Sequence, residues 1–281
     1  MRDRMAVAFG TVMAALLAAE PSMAQNARGA RGGQAVQPAA PAPRWPDGRI
    51  NFGPTPGQKG VWQGDGRLAV NPNSYEPRTT QNAPIHIDDV PLQPWARALV
   101  NGRHAEILKY EPHARCKPSG GPRQFITPYG VEIVDMPDLK RVFIMDIGGP
   151  HSFRIVYMDG RDHPGDLVPS YYGHSIGRWE GDALVIDTVG FNEKFWMNRD
   201  GLPHTSRLHL IERITRPDFR TLKYEVTIDD PGAYTATWTS GFNLRWTEGL
   251  ELFEYICQDN NLFPETVFPH GHSGPTPRIF P

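Results

Sequence analysis

The chain has 281 residues, a formal charge of −2 and 39% hydrophobic residues. It holds no basic run long enough for a nucleic-acid arm, and the near-neutral balance argues against a phosphate-backbone footprint. Seven Trp, nine Tyr and thirteen Phe supply a core, while 28 Gly and 28 Pro stay short of the level that marks a disordered chain.

Arg2 and Arg4 precede an apolar run, MAVAFGTVMAALLAA (5–19). Fifteen apolar residues are too few to span a bilayer, which takes ~20. With Ser22 and Ala24 as small residues at −3 and −1, the segment 1–24 reads as a signal peptide cut after Ala24, and the protein as exported to the periplasm or beyond. No later stretch is apolar enough to be a membrane span. Residues 25–43 are rich in Gly, Ala and Pro without an apolar period, as in a flexible linker. Residues 44–129 are turn-rich, with Trp45, Phe52, Val61 and Trp62 as anchors to a core. Within them, Pro94 to Lys109 reads as a helix with Trp95, Leu99 and Leu108 on one stripe, ended by Pro112.

From Gly130 the pattern turns to period two. Runs at 131–135, 142–147, 153–158, 174–179, 183–189, 208–215, 222–229, 235–242 and 250–257 are split by Asp-Gly, Pro-Asp and Glu-Gly turns. No strand–helix alternation occurs, so a doubly wound fold is excluded. The fold class is mainly β: an antiparallel up-and-down meander over 130–257, closing into a barrel like those of lipocalins and calycins, with a two-sheet sandwich as the alternative. The tail 258–281 reads as irregular. Two cysteines, Cys116 and Cys257, can pair in an oxidising compartment, or stay as two unrelated buried thiols.

Chemistry is sought where an apolar strand face carries a charge. Glu212 sits among Leu208, Leu210 and Ile214; Glu254 shares a face with Leu250, Leu252 and Ile256; Asp187 lies between Val185 and Val189. A buried carboxylate needs a cationic partner or a proton, as a general acid or base does. Arg154 falls on the face of Val156, Arg213 opposite Glu212, and His113, Arg161, His163, His174 and His204 lie in loops or at strand ends. Trp179 and Trp196 fit a core as well as a ligand platform. Neither HExxH nor CxxC occurs, so no metal or cofactor is expected, and no G-x-S-x-G elbow marks a serine hydrolase.

The stretches PHARCKPSGGPRQF (112–125), RIVYMDGRDHP (154–164), GHSIGRWEGDALVIDTVGFN (173–192), LPHTSRLHLIER (202–213) and TIDDPGAYT (227–235) resemble a large group of exported bacterial proteins. Its members open with PDG…GVW, matched by Pro46-Asp47-Gly48 and Gly60-Val61-Trp62, although INFGPTPGQKGVW here replaces their usual shorter lead-in. The group carries no settled activity. By architecture alone, the meander is similar to calycin barrels, among which phenolic acid decarboxylases transfer protons without a cofactor.

Three functions follow as expectations. The first is a cofactor-free lyase acting on a small aromatic or phenolic molecule inside the barrel. Its base is Glu212 or Asp187 and its proton partner His204. Arg161 or Arg213 binds an anionic group, and Tyr157, Trp179, Trp196 and His174 complete the pocket. The second is a binding protein using the same cavity without chemistry, and the third an envelope-associated module.

Overall fold

A computed structural model describes residues 39–64, 68–70, 85–105, 110–127, 129–146 and 152–257. The predicted signal peptide, the linker up to residue 38 and the tail 258–281 lie outside the described residues. The chain forms β1 (Gly60–Gln63), β2 (Ala69–Val70), β3 (Ile85–His86), α1 (Pro94–Ala105), β4 (Val131–Met136), β5 (Arg141–Asp146), β6 (Phe153–Tyr157), β7 (His174–Glu180), β8 (Ala183–Val189), β9 (His209–Asp218), β10 (Thr221–Asp229) and β11 (Trp238–Glu248). β2 and β3 pair with each other; the other nine strands close a barrel in the order β1-β11-β10-β9-β8-β7-β6-β5-β4. The expected mainly-β barrel is present.

It departs from a simple meander at three places. β6 and β7 run parallel, with Val156 opposite Ser175 and Tyr157 opposite Ile176. Parallel neighbours need a long crossover, and residues 158–173 supply it. The wall is completed by β1, from the segment read as turn-rich. It pairs with β11 along its length and with β4 through Trp62 and Val131. Gly60 permits this closure, because a Cβ there would stand 2.2 Å from the Trp246 ring. Finally, the run 250–257 is irregular rather than a strand, and Glu254 is exposed. With β1 already on β11, no free edge is left for a tenth strand.

α1 also differs from expectation. Its buried positions are Ala96 and Val100, one turn apart, so it packs through small side chains. Trp95 and Leu99 are half exposed, and Trp95 donates to the Gly232 carbonyl at 3.0 Å. Leu108 lies outside the described residues. Phe52, Val61 and Trp62 bury as predicted. The end of the predicted linker is docked: Phe219 donates to the Ala40 carbonyl and Asn51 to that of Pro43. Arg216 fixes the following segment by donating to the carbonyls of Asn51 and Gly53 at 2.6 and 3.1 Å, with its guanidinium 4.7 Å from the Trp62 ring centroid.

The interior is filled. Trp62, Arg154, Tyr224, Phe242, Ile133, Ile144 and Leu184 are each under 2% exposed. A 3₁₀ helix, Gly121–Ile126, is buried throughout; its Phe125 packs 4.6 Å from Tyr224 and Gln124 donates to the Ile144 carbonyl at 2.9 Å. Across this core runs one polar layer. Arg154 on β6 pairs with Glu212 on β9 through Nη1–Oε1 (3.0 Å) and Nη2–Oε2. Its Nε donates to Ser175 on β7 (2.8 Å) and its Nη2 to Thr188 on β8 (2.6 Å). Tyr224 on β10 donates to Glu212 Oε1 (2.8 Å). Burial pulls the Arg154 pKa down, but the adjacent Glu212 charge and hydrogen bond leave it raised overall.

Cys116 and Cys257 form a disulfide across 141 residues, with Cα atoms 5.7 Å apart. It ties the irregular strap 249–257 to the loop before the 3₁₀ helix.

Two stability outcomes are expected. Truncating either Arg154 or Glu212 to Ala should cost about 3–5 kcal/mol in urea unfolding, while the paired change Arg154→Met with Glu212→Leu should cost less than either. Replacing both cysteines by Ser should lower stability by about 3–5 kcal/mol, with faster hydrogen exchange concentrated in 250–257.

Candidate functional site

The odd-numbered residues of β8 and β9 face outward, and there the strands carry acid–base groups. Asp187 on β8 is diagonal to His209 on β9, since Asp187 stands opposite Ile211. His209 Nε2 is 2.8 Å from Asp187 Oδ1. The crossover 158–173 brings His163 to the same oxygen, with Nε2 at 3.2 Å. His163 Nδ1 in turn meets His174 Nδ1 at 2.8 Å, at the start of β7. Tyr157 stacks on His174 with ring centroids 5.1 Å apart, and the Arg161 guanidinium lies 4.0 Å from the Tyr157 ring. Arg161 is bound to Asp159 at 2.5 Å.

This chain of contacts fixes proton positions. A carboxylate only accepts, so both His163 Nε2 and His209 Nε2 carry hydrogen toward Asp187. In its neutral form His163 then accepts at Nδ1 from His174 Nδ1–H. The lone pairs are left at the two ends, on His209 Nδ1 and His174 Nε2. Burial, followed by the neighbouring His163 and Arg161 charges, lowers the His174 pKa, which keeps that ring neutral near pH 7. The contacts run in a line, His209–Asp187–His163–His174. Among the described residues no three His, Cys, Asp or Glu side chains gather as a metal-ligand set.

Beside the line lies an open groove of about 500 Å³. Val185 and Ile211 line it, each one outward position from Asp187 and His209, a step of about 7 Å along a strand. Its other lining residues include Arg178, Arg213 and Glu180. Glu180 accepts from both arginines at 2.7 Å, and these bonds, Arg213's first, hold its pKa below the usual carboxylate range.

Asp187, His174, Tyr157 and Arg161 are thus assembled as one group, and Arg213 lines the adjoining groove. The others fall elsewhere. Glu212 points inward into its ion pair, fully shielded from water. His204 does not meet it: the buried ring contacts the carbonyls of Phe195 (3.2 Å) and Thr205 (3.3 Å) and packs on Phe195. Trp196 is buried beneath Arg103, with the guanidinium 4.8 Å from its ring. Trp179 stacks on Phe52 at 5.7 Å. A lumenal acid–base pair of Glu212 and His204 is therefore corrected, as are the two tryptophans as pocket walls.

His209 is the member absent from the sequence-predicted set, and His163 stands there only as a loop histidine. His209 carries a usable signal: it occupies the outward register of β9, as Asp187 does on β8, opposite the apolar face of the strand. Comparison of the chain with protein-family models, with curated proteins and with solved structures found no match. The resemblance to exported bacterial proteins accordingly rests on its motifs alone.

In a proton NMR titration of the imidazole Cε1–H signals, His174 should show a midpoint below the ordinary value of about 6.5. Replacing Asp187 by Asn should disturb the His163 and His209 signals together, and unchanged signals would break the assigned line.

Proposed function

We propose that the protein is a cofactor-independent acid–base enzyme whose working surface is the outer wall of the barrel, and that it acts on a small anionic molecule. The carrying observation is that one carboxylate, Asp187, lies 2.8 Å from His209 Nε2, and that His209 is one outward position from Ile211, which lines a groove holding Arg178 and Arg213 together with Glu180 and Glu225. In this reading Nδ1 takes a proton from the substrate. The resulting imidazolium is stabilised by Asp187 through Nε2–H, a role a buried or hydrogen-bonded carboxylate commonly serves for histidine. Arg213 and Arg178 hold the substrate's anionic group by exchanging part of their bonding to Glu180. An elimination or decarboxylation of a small aromatic or phenolic acid fits this chemistry. The packed interior argues against a substrate held in the lumen.

The groove's charged rim also suits a binding protein that performs no chemistry, because the Arg178–Glu180–Arg213 set is complete without the histidines. Location belongs to the same proposal. The disulfide accords with an oxidising compartment. No described helix is long and apolar enough to cross a membrane. We take the working compartment to lie outside the cytoplasm.

The test is incubation of the full chain with a panel of small aromatic and aliphatic carboxylic acids in D₂O, followed by NMR. Substrates should be consumed or exchange a carbon-bound proton for deuterium. His209→Gln should lower that rate by roughly a hundredfold or more, and Asp187→Asn should lower it too. Full activity in His209→Gln would remove the assignment. Saturable binding with every compound recovered unchanged and unlabelled would favour the binding protein.

A further inference from the structure

The two arginines of the outer groove come from different strands. Arg178 on β7 and Arg213 on β9 both stand opposite Val185 of β8, one on each side of it in the outward register. Their guanidinium groups converge over that strand on a single carboxylate, Glu180. Arg178 donates through Nε and Nη2 to Oε1, at 2.9 and 2.7 Å, and Arg213 through Nη1 to Oε2 at 2.7 Å. Each carboxylate oxygen thus has a guanidinium of its own. Val185 beneath them is 3% exposed, whereas all three charged side chains are open to solvent. Among the described residues neither guanidinium meets a second acceptor. The neighbouring charges are already matched. Glu225, opposite Arg213 on β10, pairs with Lys223 at 2.9 Å, and Asp182, in the turn after Glu180, pairs with Arg44 at 2.6 Å.

We propose that Glu180 is a built-in competitor at this carboxylate cradle: it holds the two guanidinium groups in the empty protein, and a ligand enters only if its own carboxylate takes Glu180's place. This rests on the groove being the ligand site, as proposed above, and adds what regulates it. Glu180 ends β7, and Gly181 follows with φ 59° in an exposed turn where even a Cβ would touch nothing, so the side chain can swing out without disturbing the wall. Arg213 lies within β9, paired on both sides, and stays in place. Without Glu180 the cradle holds two positive charges against none, and a ligand carboxylate restores the original balance. A neutral ligand cannot make that exchange. The bonds from Arg213 and then Arg178 hold the Glu180 carboxyl below the usual carboxylate range, and the same donors favour the ionised form of any carboxylate in its position.

Tethering then decides affinity. Exposed ion pairs contribute little each, so exchanging one carboxylate for another is close to neutral in the contacts themselves. A tethered carboxylate is always present at high effective concentration, and a free one must outcompete it. The cradle is therefore weak for simple acids and selective for those that gain something more from the groove, such as an apolar body against Val185 and Ile211. Removing the competitor strengthens binding, which is the opposite of what loss of a ligand contact does.

The experiment is NMR titration of the full, disulfide-bonded chain with sodium benzoate, following the Arg Nε–H signals, with benzyl alcohol as the uncharged probe. Glu180→Gln should bind benzoate at least about fivefold more tightly than the wild-type chain, with the Nε–H signals of Arg178 and Arg213 shifting together. Benzyl alcohol should gain nothing from the change. Glu225→Gln removes the same charge from the groove without freeing either guanidinium, and should move benzoate affinity by about twofold or less. Arg213→Gln added to Glu180→Gln should abolish the gain. Equal affinity in the wild type and Glu180→Gln, an equal gain in Glu225→Gln, a gain that survives Arg213→Gln, or no binding by Glu180→Gln at tens of millimolar benzoate would overturn the inference. Affinity is read here, not turnover. A chain that binds benzoate in this pattern yet never exchanges a substrate proton defeats the enzyme reading and leaves the competitor standing, while turnover with equal affinities does the reverse.

Discussion

A guanidinium and a carboxylate that never touch water set the terms for this barrel. Arg154 and Glu212 sit on strands three apart in the wall, and the strands between and beyond them each add one polar group: Ser175, Thr188 and Tyr224. Five consecutive wall strands thus meet in a single layer. Because side chains alternate across a strand, slipping any one of these strands by a residue would withdraw its member and expose the ion pair to hydrocarbon. The layer therefore holds register across the β6–β7 pair, where a long crossover gives weaker local guidance than a hairpin would. It also occupies the space a ligand would need. The interior is thus structural, and the proposed acid–base site lies on the outer wall.

Much of the architecture was legible in the residues. Period-two runs at 131–135, 142–147, 153–158, 174–179, 183–189, 208–215 and 222–229 became wall strands with small changes at their ends. What could not be read was which runs had partners. The 250–257 run has the same alternation, yet the wall is sealed by four residues near the N-terminus whose pattern, Gly-Val-Trp-Gln, is too short to signal a strand. Alternation reports a half-buried surface, and only topology decides whether a neighbour is present to pair with it. The helix shows the converse case. Two large residues at its start looked like a core face, but packing chose Ala96 and Val100, which let the helix approach closely.

The site was half legible for a related reason. A carboxylate among valines on β8 stood out, and so did the Arg and Tyr of the β6 end. Valines at 185 and 189 make Asp187 conspicuous in the sequence, as they would on an inward face. Val185 and Val189 are in fact outward residues; Val185 is covered from outside by the groove's charged side chains, not by the core. Glu212 lies on an inward face and is held in the buried ion pair, while Asp187 lies on the outward face and contacts two imidazoles, His163 and His209. An acid inside a filled barrel must be neutralised permanently, whereas one on the wall stays free to exchange protons with whatever arrives.

Closure by β1 has a consequence for how the chain comes to exist. The first wall strand ends at Gln63, but its partner β11 ends at Glu248, and the sulfur bridge reaches still further, to Cys257. Until β11 has emerged, β1 lacks the partner it pairs with along its whole length and presents an unpaired edge, which is the surface that recruits stray strands. High contact order of this kind slows folding relative to proteins built from local contacts. The nascent chain thus passes through an interval in which the sheet is open at β1 and the wall is not yet closed.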